Sequence, residues 1–65
     1  MSAFLNLFPR EMEPGDDWDG CLFDHVEPMI DPQPERRLNC VMVFQDGTTR
    51  LWHTDAPMRI YRAAH

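Results

Sequence analysis

Apolar positions along this chain change period from one segment to the next. Phe4, Leu7 and Phe8 recur at the i, i+3, i+4 spacing of a helix face, Ser2 is a residue type that caps helices, and Pro9 limits extension. Residues 3–8 therefore predict one or two turns of N-terminal helix. Residues 21–26, Cys-Leu-Phe-Asp-His-Val, are rich in strand formers and lie between Gly20 and Pro28, which predicts a first strand. Residues 27–35 contain Pro28, Pro32 and Pro34, each lacking an amide donor, so they must be extended or turning.

A hairpin gives the strongest local signal. Residues 38–45 and 48–54 are β-prone runs joined by Asp46-Gly47, a dipeptide favoured in tight turns. A two-residue turn sets Phe44 opposite Thr49, Met42 opposite Leu51 and Cys40 opposite His53 on the core side. Val43 with Arg50 and Val41 with Trp52 then take the other side. A bulge after Gly47 would shift that register. Downstream, Asp55 and Pro57 resemble a helix start, whereas Met58 to Arg62 alternates like a strand, and the strand reading is preferred because a lone hairpin needs a further strand. The expected fold is α+β: one domain over residues 1–65, with a short N-terminal helix on a three- to four-stranded antiparallel sheet.

Charge adds a second pattern. Nine of the eleven acidic residues lie between Glu11 and Glu35, where the first 35 residues hold only Arg10 against them. That segment carries −8 and the remainder +3, within a total of −5. Residues 10–20 are read as an acidic loop anchored by Trp18, which is equally a core plug or a contact residue. A field of one sign steers and binds cations, and the expected partner is a basic protein surface. The candidate partner-binding residues are Asp16, Asp17, Trp18, Asp19, Asp24, Glu27, Asp31 and Glu35, a set of carboxylates able to imitate a phosphate backbone. Phe23 and Met29 are further candidate anchors.

Sixty-five residues leave a marginal core and little room for an enclosed active site. The first ten residues show neither a basic n-region nor a long apolar run, so no signal peptide or membrane span is expected and the cytoplasm is the expected compartment. There a Cys21–Cys40 disulfide is disfavoured against free thiols. Cys21, His25, Cys40 and His53 are residue types that bind zinc, but no Cys-x2-Cys pair frames them, and no metal or cofactor is expected. Asp24-His25 and His53 with Asp55 can be drawn as acid–base pairs, yet neighbours on a strand point to opposite faces and no nucleophile completes either pair. The chain is expected not to be an enzyme. Direct nucleic-acid binding is disfavoured at −5, although Arg36, Arg37, Arg50, Arg59, Arg62 and Tyr61 could form a small basic face.

This short, lysine-free, acidic chain with a hairpin and a concentrated carboxylate segment resembles the small phage-encoded anti-CRISPR proteins acting on type I effector complexes, in size and charge layout rather than by motif. The resemblance implies a monomeric, non-enzymatic inhibitor in the host-cell cytoplasm that binds a Cas effector subunit and blocks its DNA-binding site, as a DNA mimic would. The C-terminal arginines depart from a pure DNA mimic. Two other readings stand beside it: a structural or adaptor module whose acidic loop gives solubility, and a zinc-stabilised binding domain.

Overall fold

The alternation at the C-terminal end finds its partner at the other end of the chain. In the computed structural model, which describes residues 3–63, the strands are β1 (Ala3–Leu7), β2 (Asp17–Trp18), β3 (Cys21–Gln33), β4 (Leu38–Phe44), β5 (Thr49–Trp52) and β6 (Met58–Arg62). Single 3-10 turns occupy Pro9–Glu11 and Pro34–Arg36. All pairings are antiparallel, in the order β1-β6-β2-β3-β4-β5. The expected α+β fold is thus corrected to a six-stranded sheet with no α-helix among the described residues.

The segment expected to be a helix is β1, with Phe4 opposite Tyr61, Leu5 opposite Ile60 and Leu7 opposite Met58. Helical spacing of three apolar residues is a weak local preference, and an isolated helix this short is marginal in water. Pairing along β6 gives partners to the backbone groups that β1 turns towards it and packs Leu5 and Leu7 against the core. Ser2, the expected cap, lies outside the described residues. The strand reading of residues 58–62 holds.

Asp-Gly occurs twice, and each copy closes a different hairpin. Asp19 and Gly20 have φ of 53° and 84°, the paired left-handed residues of a type I′ turn, and they join Trp18 directly to Cys21 across β2 and β3. Asp46-Gly47 forms a longer, three-residue connection: the Phe44 amide donates to Thr48 O at 2.9 Å, the Gly47 amide to Phe44 O at 3.0 Å, and Gly47 sits at φ 89°. This is the bulged alternative. The register is therefore corrected by one residue, with Met42 opposite Arg50, Cys40 opposite Trp52, and Val41 opposite Leu51. Because side chains alternate with period two, Trp52 moves to the core side and Leu51 to the water side, where it is exposed.

The core joins Phe23, Cys40, Met42, Phe44, Met58, Ile60 and Met12, with Trp18, Cys21, Val26, Trp52, Leu5 and Leu7 packed against it. Strands from both ends of the sheet order contribute to this one cluster, so the sheet curls around its buried face. Trp18 stacks on Phe44 with centroids 5.9 Å apart and meets Trp52 edge-on at 5.2 Å. The Arg50 guanidinium lies 4.6 Å from the Trp18 ring. No helix of the described residues is long and apolar enough to cross a membrane.

Candidate protein-binding surface

β3 begins as a regular strand and departs from regularity twice. Phe23 pairs with Phe44 and His25 with Val43, leaving Asp24 as an extra residue in the ladder. A bulge places its two residues on the same side. Asp24 Oδ2 consequently lies 2.6 Å from His25 Nδ1, and Glu27 Oε1, two residues on, lies 3.2 Å from His25 Nε2. Both neighbours favour the imidazolium, Asp24 most, so the His25 pKa is raised above its ordinary 6.5. The expectation that Asp24 and His25 point to opposite faces is corrected: it assumed strict alternation, which the bulge interrupts.

The second departure follows Pro28. Pro28 pairs with Cys40 and Gln33 with Leu38, so residues 29–32 face Asn39 alone. Pro28 and Pro32 remove amide donors at both ends of this stretch. Asn39 has its side chain occupied elsewhere, donating to Thr54 Oγ1 at 3.0 Å and accepting from the Thr54 amide at 2.9 Å. The protruding stretch carries Ile30 fully into solvent, at 104% relative exposure. Exposed Asp31 follows it, and exposed Glu35 sits in the adjoining 3-10 turn.

The eight candidate residues separate into three groups. Asp16 is inside the protein, 2% exposed, and takes no part in an external surface. Its carboxylate accepts from Arg62 Nε and Nη2, both at 2.8 Å, and from the Glu13 amide at 2.8 Å. The Arg62 bonds hold its pKa below the ordinary value despite burial. Trp18 is half-buried, packed against the core cluster on one side and covered by Arg50. Asp17 and Asp19 belong to the β2–β3 hairpin: Asp17 Oδ1 accepts the Gly20 amide at 2.9 Å, and Asp19 occupies the exposed turn. Asp24, Glu27, Asp31 and Glu35 follow β3 to its tip, all exposed, and none pairs with an arginine among the described residues. Phe23 is core, whereas Met29 is half-buried.

The zinc constellation comes apart in the same geometry. The bulge sends His25 away from the side of Cys21 and Phe23, and the corrected register puts Trp52, not His53, opposite Cys40. Both thiols are free, and the described residues contain no group of three metal-ligating side chains. The arginines disperse as well: Arg62 turns inward to Asp16, Arg50 covers Trp18, and Arg59 lies 4.9 Å from the Phe4 ring. What sequence reasoning missed is Ile30, and its signal was present in Pro28-Met-Ile-Asp-Pro32, an apolar pair framed by two residues that cannot donate to a ladder. Comparison with protein-family models, curated proteins and solved structures finds no match to the chain.

Proposed function

We propose that this chain is a non-enzymatic binding protein that docks on a basic, nucleic-acid-binding surface of a partner protein and excludes nucleic acid from it. The observation that carries this reading is a fully exposed Ile30 set among carboxylates that have no arginine partner: Glu27, Asp31 and Glu35, with Asp24 further along the same strand. Burying an isoleucine side chain contributes about 1.5–3 kcal/mol, so Ile30 supplies the short-range affinity. The carboxylates supply steering and orientation, which salt screens.

Charge density argues for competition at a protein surface over full imitation of a duplex. At roughly 3.3 Å per strand residue, Glu27 and Asp31 are at most about 13 Å apart, whereas duplex DNA presents one charge per ~1.7 Å of axis. Carboxylates this sparse need an apolar anchor. A type I CRISPR effector subunit is the first partner to test, on the resemblance in size and charge layout.

The test presents immobilised protein with purified type I effector complexes and with unrelated basic DNA-binding proteins, over a salt gradient. The expected result is selective binding to an effector complex that duplex DNA displaces, weakened at least tenfold by Ile30→Ser and weakened with a flatter salt dependence by Glu27→Gln with Asp31→Asn. Binding unchanged by these substitutions, or no binding to any effector, overturns the reading.

A further inference from the structure

A different surface points to a second binding mode. At the C-terminal end of β5, Leu38, Leu51, Trp52 and Ala56 wall an apolar slot of about 250 Å³, with Arg37 and His53 as its polar members. We propose that this slot and the open edge of β5 bind the C-terminal residues of an extended peptide, its last apolar side chain in the slot and its terminal carboxylate at Arg37 and His53.

Each part of the slot is held in place. Trp52 Nε1 donates to Ala56 O at 2.9 Å, which fixes the indole wall. His53 Nδ1 accepts the Asp55 amide at 3.0 Å, so the neutral ring carries its proton on Nε2 and presents a donor there. Arg37 adopts φ 54° and ψ 49°, left-handed backbone unusual for a residue with a side chain, and it closes the Pro34–Arg36 turn through its amide. Arg36 bonds Gln33 and Arg62 bonds Asp16 and Glu13, while Arg37 has no polar side-chain partner among the described residues. Asp55 Oδ2 lies 3.9 Å from His53 Nδ1, the other nitrogen of the ring, so the Arg37 guanidinium carries the charge complementarity to a carboxylate on an apolar residue and His53 Nε2–H adds a donor.

The β5 edge selects a peptide over a free small acid. Among the described residues β5 is the terminal strand of the sheet and pairs with β4 alone. The bond from the Phe44 amide to Thr48 O makes that pair hydrogen-bonded, so Arg50 and Trp52 direct their backbone groups to β4 while Thr49 and Leu51 direct theirs to the open edge. A chain running beside β5 in the same direction meets those groups and ends at the slot, a form of strand addition. The slot shares no residue with the acidic β3 set, whose nearest member along the chain is Glu35, two residues before Arg37.

The experiment titrates the labelled full chain with hexapeptides ending in Val, Leu or Phe, each as free acid and as C-terminal amide, and with isovalerate, following the amide signals of Thr49 and Leu51 and the Trp52 indole. The expected result is saturable shifts at all three with at least one free-acid peptide, at least tenfold weaker binding of its amide, and at least fivefold weaker binding to Arg37→Asn. Asparagine tolerates the left-handed backbone, so that variant removes the cation and keeps the turn. Absence of binding by every peptide, equal binding of acid and amide, or isovalerate binding as tightly as the peptides overturns the proposal.

Discussion

Replacing Asp16 by asparagine tests whether the acidic segment is one surface or is divided by the fold. Asp16 accepts three hydrogen bonds, two from the Arg62 guanidinium and one from the Glu13 amide. Asparagine offers one acceptor oxygen and turns an NH2 group towards donors, so at least one charge-assisted bond is lost and another is weakened. Such bonds are worth about 1.5–3 kcal/mol each. Arg62 is 32% exposed and retains Glu13 at 3.0 Å, so water and Glu13 recover part of the loss. We expect Asp16→Asn to cost about 2–3 kcal/mol, against roughly 3–10 kcal/mol for the whole stability of a domain this size. At about 4–8 °C per kcal/mol the melting temperature falls by roughly 10–20 °C. Urea unfolding followed by tryptophan fluorescence reads it directly, since Trp18 and Trp52 pack on the core. Because the folded-state pKa is depressed below 3.8, this contribution is present above about pH 4 and is lost as pH falls through the folded value. Asp19→Asn, at an exposed turn, serves as the control and costs less than about 0.5 kcal/mol. An Asp16→Asn protein as stable as the control would refute the buried-pair account and return Asp16 to the surface set.

Three further outcomes follow from particular contacts. Ile30→Ala leaves the melting temperature within about 2 °C of the parent, because the side chain contacts solvent in the free protein; a large drop would show that residues 29–32 pack against the fold. His25 titrates above 6.5 by NMR, and Asp24→Asn lowers its midpoint, because Asp24 is the stronger of its two carboxylate partners. The sign follows: interactions that favour the imidazolium stabilise below about pH 6.5 and are lost as pH rises through the raised folded value, so an unshifted midpoint would contradict the 2.6 Å contact. Trp18→Ala, which removes the stack on Phe44, the edge contact with Trp52 and the ring beneath Arg50, costs about 3 kcal/mol in urea unfolding; a loss below about 1 kcal/mol would mean that Trp18 serves the surface instead.

Local turn chemistry was legible in the sequence, and facing was not. Asp46-Gly47 was readable as a hairpin, whereas Asp19-Gly20 closes a β2–β3 hairpin inside residues 10–20, which were read as a loop. Nor does the dipeptide specify whether the connection has two or three residues, and that single residue decides whether Trp52 or Leu51 meets the core. The alternation at Met58 to Arg62 was readable because its two faces differ in polarity, with Met58 and Ile60 buried and Arg59 exposed. β1 was misread because Phe4, Leu7 and Phe8 satisfy a helix period locally, while the partner that makes them a strand lies more than fifty residues away. For the site, clustering along the chain was taken as clustering in space. β2 and β3 run antiparallel through the acidic segment, which turns Asp16 inward to Arg62 and leaves Asp24, Glu27, Asp31 and Glu35 along β3. Both β3 irregularities add residues that pair with nothing on β4, and neither composition nor periodicity registers such an insertion.

The bulge at Asp24 also bears on how this strand tolerates a change in length. Phe23 opposite Phe44 and His25 opposite Val43 are neighbouring rungs with one residue spare between them. Cutting out Asp24 alone would leave Phe23 facing in, His25 facing out and Val26 facing in, an unbroken alternation already in step with β4. Most single-residue deletions inside a strand would re-thread everything beyond them. Here the reading frame of the ladder survives, and what disappears is one carboxylate beside His25, so the histidine clamp is a detachable addition to a strand that is complete without it.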